Sequence, residues 1–178
     1  AAGSTVTATS TDIVFTDVTA GITASCTSGA ANGKLAANSG TWDSDPIVTN
    51  LAITTSGCTG IGITFNLTQN GTATLHATGP TVGGVTPGEI RGISVKGTAL
   101  GGLCTVQVDG PGGANSKTGV ITGTYDNSGV ITATGAPNIT VASASLGCNI
   151  GGIKKGDKAS LSGTFNVTSS PVPVVNAS

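Results

Sequence analysis

Ile61-Gly62-Ile63-Thr64-Phe65-Asn66-Leu67-Thr68 alternates apolar and polar positions without a break. Successive side chains of an extended strand point to opposite faces, so Ile61, Ile63, Phe65 and Leu67 fall on one face and Gly62, Thr64, Asn66 and Thr68 on the other. One face is expected in a core and the other in water. The same period of two recurs in Thr5–Ser10, Ile13–Thr16, Gly21–Thr27, Ile47–Thr55, Thr72–Thr78, Gly88–Lys96, Leu103–Asp109, Thr118–Tyr125, Val130–Thr134, Ile139–Ser145 and Ala159–Thr168, with Gly, Asn, Asp or Pro between the runs. Helical periodicity is nearly absent. These runs predict an all-β fold of about 10–12 short strands, an antiparallel β-sandwich or a closed β-barrel, with the sandwich as the first expectation.

Two segments read as hairpin turns. Asn70-Gly71 sits between alternating runs and suits a type I′ turn, which needs positive φ at both central residues. Asp126-Asn127-Ser128-Gly129 reads as a slightly longer turn between Tyr125 and Val130. A length of 178 residues suits one domain. Residues 1–11 and 169–178 read as extended terminal segments, because proline keeps Pro171-Val172-Pro173-Val174-Val175 out of a central strand.

The four cysteines, Cys26, Cys58, Cys104 and Cys148, lack the C-x-x-C spacing of zinc and redox sites. Two structural disulfides are expected, and sequence order favours the local loops Cys26–Cys58 and Cys104–Cys148 among the three connectivities. An even cysteine count fits an oxidising compartment. Ala1-Ala2-Gly3-Ser4 reads as the start of a mature exported chain, cut behind a small-residue site. Secretion is the expectation.

Chemistry-bearing groups are sparse: seven Lys and Arg, eight Asp and Glu, and one His, for a net charge of −1. No basic stripe is present to neutralise several phosphates, which argues against nucleic acid, and no apolar run is long enough to span a bilayer as a helix. There is no G-x-S-x-G elbow, and His76 is the one histidine that could serve a serine. It falls opposite Ala73, Leu75 and Ala77 and is expected to be a solvated strand residue. Neither an enzyme nor a resident cofactor is expected.

The candidate sites are correspondingly weak in type. Asp43 and Asp45 resemble the opening of a calcium loop without its later glycine and bidentate glutamate. Trp42 is the single tryptophan on which a sugar could stack, and Lys154, Lys155 and Lys158 form the one basic cluster, suited to an anionic polymer at a cell surface.

Several turn and cysteine contexts go further. Ser56-Gly57-Cys58-Thr59-Gly60 with Ile61 to Phe65, Gly84-Val85-Thr86-Pro87-Gly88-Glu89-Ile90, Cys104-Thr105-Val106, and Lys155-Gly156-Asp157-Lys158-Ala159 before Ser162-Gly163-Thr164-Phe165 resemble uncharacterised small secreted all-β proteins of actinobacteria. The resemblance runs from about Ala24 to Thr168. It implies topology and export, and no activity.

Two functions compete on these grounds. An outer face of Thr and Asn has little of the lysine that usually discourages edge pairing, so the first expectation is an extracellular structural protein that assembles with its own copies. Thr5, Val6, Thr7 and Ala8 at one end, and Val172, Val174 and Val175 at the other, would supply the pairing segments. The alternative is a monomeric binding protein, holding a cell-surface glycan or, because its small Ala, Val and Ile side chains leave room in the core, a small apolar ligand.

Overall fold

The computed structural model describes residues 1–37, 42 and 45–178. Twelve strands occupy the segments expected: β1 Thr5–Ser10, β2 Ile13–Asp17, β3 Ile22–Leu35, β4 Val48–Gly60, β5 Ile63–Gln69, β6 Ala73–Ala77, β7 Val85–Ala99, β8 Cys104–Asp109, β9 Gly119–Asp126, β10 Val130–Gly135, β11 Thr140–Ala144 and β12 Ala159–Val167. Short 3-10 turns lie at Leu100–Gly102 and Leu146–Gly151.

All pairings are antiparallel, and they close into a barrel of eight staves rather than two packed sheets. Four staves are the single strands β3, β4, β7 and β12. The others are pairs of collinear strands: β1 and β2 both lie between β3 and β12, and β5 and β6 both lie between β4 and β7. In the same way β8 and β9 both pair with β7, while β11 continues the line of β10 beside them. Each stave thus pairs with its predecessor in sequence, and the last closes on the first.

This arrangement corrects one turn. Asn70-Gly71 does not fold β6 back on β5; the chain runs straight on, with Gly71 at φ 80° and the Asn70 N–H donating to Ser94 O at 2.8 Å. Local turn chemistry permits a hairpin here, but β4 and β7 already bracket both strands and leave no room for one. Asp126 to Gly129 is the expected hairpin, with Val130 opposite Asp126 and the Gly129 N–H on Asp126 O at 2.8 Å.

Breaking a stave strands backbone groups on its neighbours, and an unpaired buried amide is costly. One polar side chain serves at each break. Asp12 accepts from Thr164 N at 2.8 Å, and these hydrogen bonds, that from Thr164 first, hold its carboxyl below the usual range. Gln69 accepts from Ile53 N at 2.6 Å and donates to Leu51 O at 3.0 Å. Asp109 accepts from Gly110 N and Thr118 N, and Asn138 accepts from Val120 N while donating to Thr118 O. Side chains here complete the ladder that main chain leaves open.

The alternation places Phe65 and Leu67 in the lumen and Thr64, Asn66 and Thr68 in solvent. Ile61 departs from the pattern: at φ 47° it starts the β4–β5 turn and is exposed. An apolar interior with a Thr-rich exterior is the inverse of a lipid-embedded barrel. No helix among the described residues is long and apolar enough to cross a membrane.

The two ends of the barrel differ. At one, the turns at 18–21, 61–62 and 100–103 and the long connection 145–158 surround both disulfides, Cys26–Cys58 between directly opposed residues of β3 and β4, and Cys104–Cys148. At the other lie the turn 127–129, the loop 78–84 and both chain termini. We call these the disulfide end and the tail end.

Candidate functional site

The lumen is the most apolar concave feature among the described residues; the crevice at the tail end is larger, more polar and open to solvent. Inward side chains form two apolar layers, one around Ile13, Phe65, Val106 and Val141, the other around Val48, Ile93, Ile121 and Ile139. Ile53, Val108 and Leu161 touch both layers, yet each is only half-buried. They border an internal cavity of about 130 Å³ that Phe15, Ala24 and Gly97 also line. Well-packed interiors contain few voids larger than a water molecule. Small residues leave this one open: Ala24 and Ala159 face it, and Gly97 offers no side chain at all.

Both mouths are covered. At the disulfide end the chain from Leu146 to Ile153 crosses the opening, with Gly151 against Ile61, Gly152 against Ile22, and Ile153 buried over the cavity. Cys148 fastens this cap to the start of β8 through Cys104. At the tail end the C-terminal segment crosses the other mouth, and Val175 borders a second, smaller cavity of about 40 Å³.

Polar groups at the lumen are few. Asp17 and Thr55 line it, and Thr55 Oγ1 is buried without a hydrogen-bond partner. Burial, and then the neighbouring Asp157 carboxyl, push the Asp17 carboxyl above its usual range, against backbone hydrogen bonds from Ala20 N, at 2.8 Å, and from Thr19. Gln69 also borders it, with its amide engaged by the β4 backbone, and the remaining wall is mostly hydrocarbon.

The expected site residues scatter over the surface. Cys26, Cys58, Cys104 and Cys148 form the two expected disulfides. Asp43 lies outside the described residues, and Asp45 is half-buried beside them. Trp42 stands at the tail end, partly exposed, on a crevice bordered by both chain termini. Lys154, Lys155 and Lys158 are exposed at the disulfide end.

Thr5, Val6, Thr7 and Ala8 are not a detached arm. They pair with Lys34, Gly33, Asn32 and Ala31 of β3, Ala8 also faces Val167 of β12, and Thr7 O accepts from Thr168 N at 2.8 Å. The tail is likewise held. Tyr125 OH donates to Pro173 O, Asn127 exchanges two hydrogen bonds with Val175 at 2.9 and 3.1 Å, and Val172 packs beside Gly129, while Val174 is exposed.

His76 corrects a further expectation. It does lie opposite Leu75 on β6, but it is buried beside Glu89 of β7, with Nε2 2.9 Å from Thr74 Oγ1. A strand histidine on a polar face is covered here by its cross-strand neighbours. The cavity itself had one sequence signal, the frequency of Ala and Gly at inward positions, which alternation alone cannot separate from tight packing. Among the described residues no three His, Cys, Asp or Glu side chains gather as a metal site. Compared with protein-family models, curated proteins and solved structures, the chain finds no match.

Proposed function

We propose that this protein is a secreted, non-enzymatic binding protein that holds a small apolar molecule in the barrel lumen. The observation that carries the reading is the cavity of about 130 Å³ bounded by Phe15, Ile53, Leu67, Val108 and Leu161. A void of that size forgoes about 3 kcal/mol of packing, which a hydrocarbon occupant would recover. Apolar cavities near 150 Å³ stay dry and take benzene or xenon. The ligand class is therefore one ring or a short aliphatic chain, held by shape rather than by hydrogen bonds.

Export is part of the proposal, since two disulfides persist best in an oxidising compartment. The engagement of both termini within their own barrel supports a self-contained binder over strand exchange. Strand exchange would first have to break the β1 ladder with β3.

Thermal unfolding with and without benzene tests the reading, with xenon as a second probe. Binding to the folded state alone raises Tm with ligand concentration. The shift should vanish in Ala24→Phe and in Ala159→Leu, which fill the cavity from the two strands that flank β2. No shift in the wild-type protein, or a shift undiminished in both folded variants, overturns it.

A further inference from the structure

The disulfide end carries an apolar rim. Val18, Ile61, Leu100, Leu103, Leu146 and Ile150 are all exposed there, Leu103 at 71%, Ile150 at 78% and Leu146 at 87%. They come from four separate turns, yet the turns touch: Val18 N donates to Lys158 O at 2.7 Å, Gly151 lies against Ile61, and Gly147 lies against Leu103. Scattered single apolar residues need no explanation, whereas a contiguous set marks an interaction surface.

Charge at this end is of one sign. Lys154, Lys155 and Lys158 are exposed beside the rim, while the only carboxylates on these turns or next to them, Asp17 and Asp157, are buried. A second copy docking through the same surface would be isologous, setting three lysines against three with no exposed carboxylate between them. An anionic lipid surface has the complementary chemistry, with phosphates for the lysines and acyl chains for the leucines.

We propose that the disulfide end docks on anionic lipid, with Leu103, Leu146 and Ile150 entering the acyl boundary and the three lysines lying at the headgroups. The rim is built on the disulfide-fastened cap, so its side chains are presented without prior ordering of a loop. Docking stands on this surface and does not require an occupied lumen.

Sedimentation of the full chain with phosphatidylcholine vesicles, with and without phosphatidylglycerol, tests it. Binding is expected to the phosphatidylglycerol vesicles and to weaken with salt. Replacing the lysines in the triple variant Lys154→Gln, Lys155→Gln, Lys158→Gln should weaken it about 100-fold, at about fivefold for each lysine. Leu103→Ser with Leu146→Ser, both on exposed positions and so without cost to folding, should weaken it at least about tenfold. No binding to anionic vesicles, binding untouched by both sets of changes, or a concentration-dependent self-association that the leucine changes abolish would each overturn the proposal.

Discussion

Asp17 and Asp157 bring two carboxyl groups together under the cap at the disulfide end, each nearly buried. Asp17 Oδ1 accepts from Ala20 N, and Asp157 Oδ2 accepts from Lys154 N at 2.7 Å. Burial first, and then the facing Asp157 carboxyl, favour a retained proton on Asp17, which is why its carboxyl is raised. A raised carboxyl contributes stability that is full below its unfolded value near 3.8 and is lost as pH rises through the folded value. Asp17→Asn keeps the acceptor for Ala20 and gives Asp157 a permanent donor. It should stabilise the barrel at pH 7 by about 1 kcal/mol, the scale of one hydrogen bond. Urea unfolding at pH 7 and below pH 4 checks this: the advantage should disappear in acid.

Asp109 has the opposite pH sign. Burial pushes its carboxyl up, but hydrogen bonds from Ser94, Ser116, Gly110 and Thr118 outweigh burial and leave it below the usual range. Its contribution is present above the unfolded value near 3.8 and is lost as pH falls through the folded value. Asp109→Ala leaves the backbone at the β8–β9 break unserved and should cost about 2–4 kcal/mol at pH 7, with a smaller deficit in acid. Amide exchange in residues 110–118 should accelerate most.

The Cys104–Cys148 bridge closes a loop of sequence separation 44 and holds the cap over the lumen. Replacing both cysteines by serine should lower stability by about 4 kcal/mol on the chain-entropy account. It should also speed exchange of xenon with the cavity, read by relaxation of dissolved xenon. The Cys26–Cys58 bridge lies within the β3–β4 ladder, at sequence separation 32. Its removal should cost a similar amount, about 3.5–4 kcal/mol, without that gain in exchange rate.

The two termini should respond unequally to deletion. Residues 1–10 include half a stave that pairs on both sides, and their loss opens the barrel between β3 and β12. Circular dichroism should show a destabilised or unfolded chain. Removing residues 170–178 forfeits the bonds of Tyr125, Asn127 and Thr81 to the tail but no strand, so a folded barrel with an open tail end is expected. Light scattering on both proteins detects any role of these segments in association.

Strand positions were legible because each stave has one wet and one dry face, and all twelve expected runs are strands. Their ends were less so. Gly29-Ala30-Ala31-Asn32-Gly33 carries residues depleted from strands, yet β3 continues through it to Leu35. The reason is spatial: a side chain at Gly29 would collide with Ile13 Cδ1 and one at Gly33 with Val48 Cγ1, contacts invisible before closure. Barrel and sandwich share the same alternation, and only the pairing of β12 with β1 and β2 decides between them. The rim of Leu103, Leu146 and Ile150 was illegible for a related reason, since residues in separate turns gather only once the staves are side by side.

Because every stave neighbours its predecessor, the barrel has a single seam, where Thr7 meets Thr168. Both termini border the same crevice at the tail end. The structure is therefore nearly a ring that happens to be cut there. A circular permutant with its ends linked across that crevice and its chain reopened at the Asp126–Gly129 turn would keep every stave beside its present neighbours. In such a molecule the seam becomes an ordinary hairpin contact, and the former β9–β10 hairpin becomes the last joint to close.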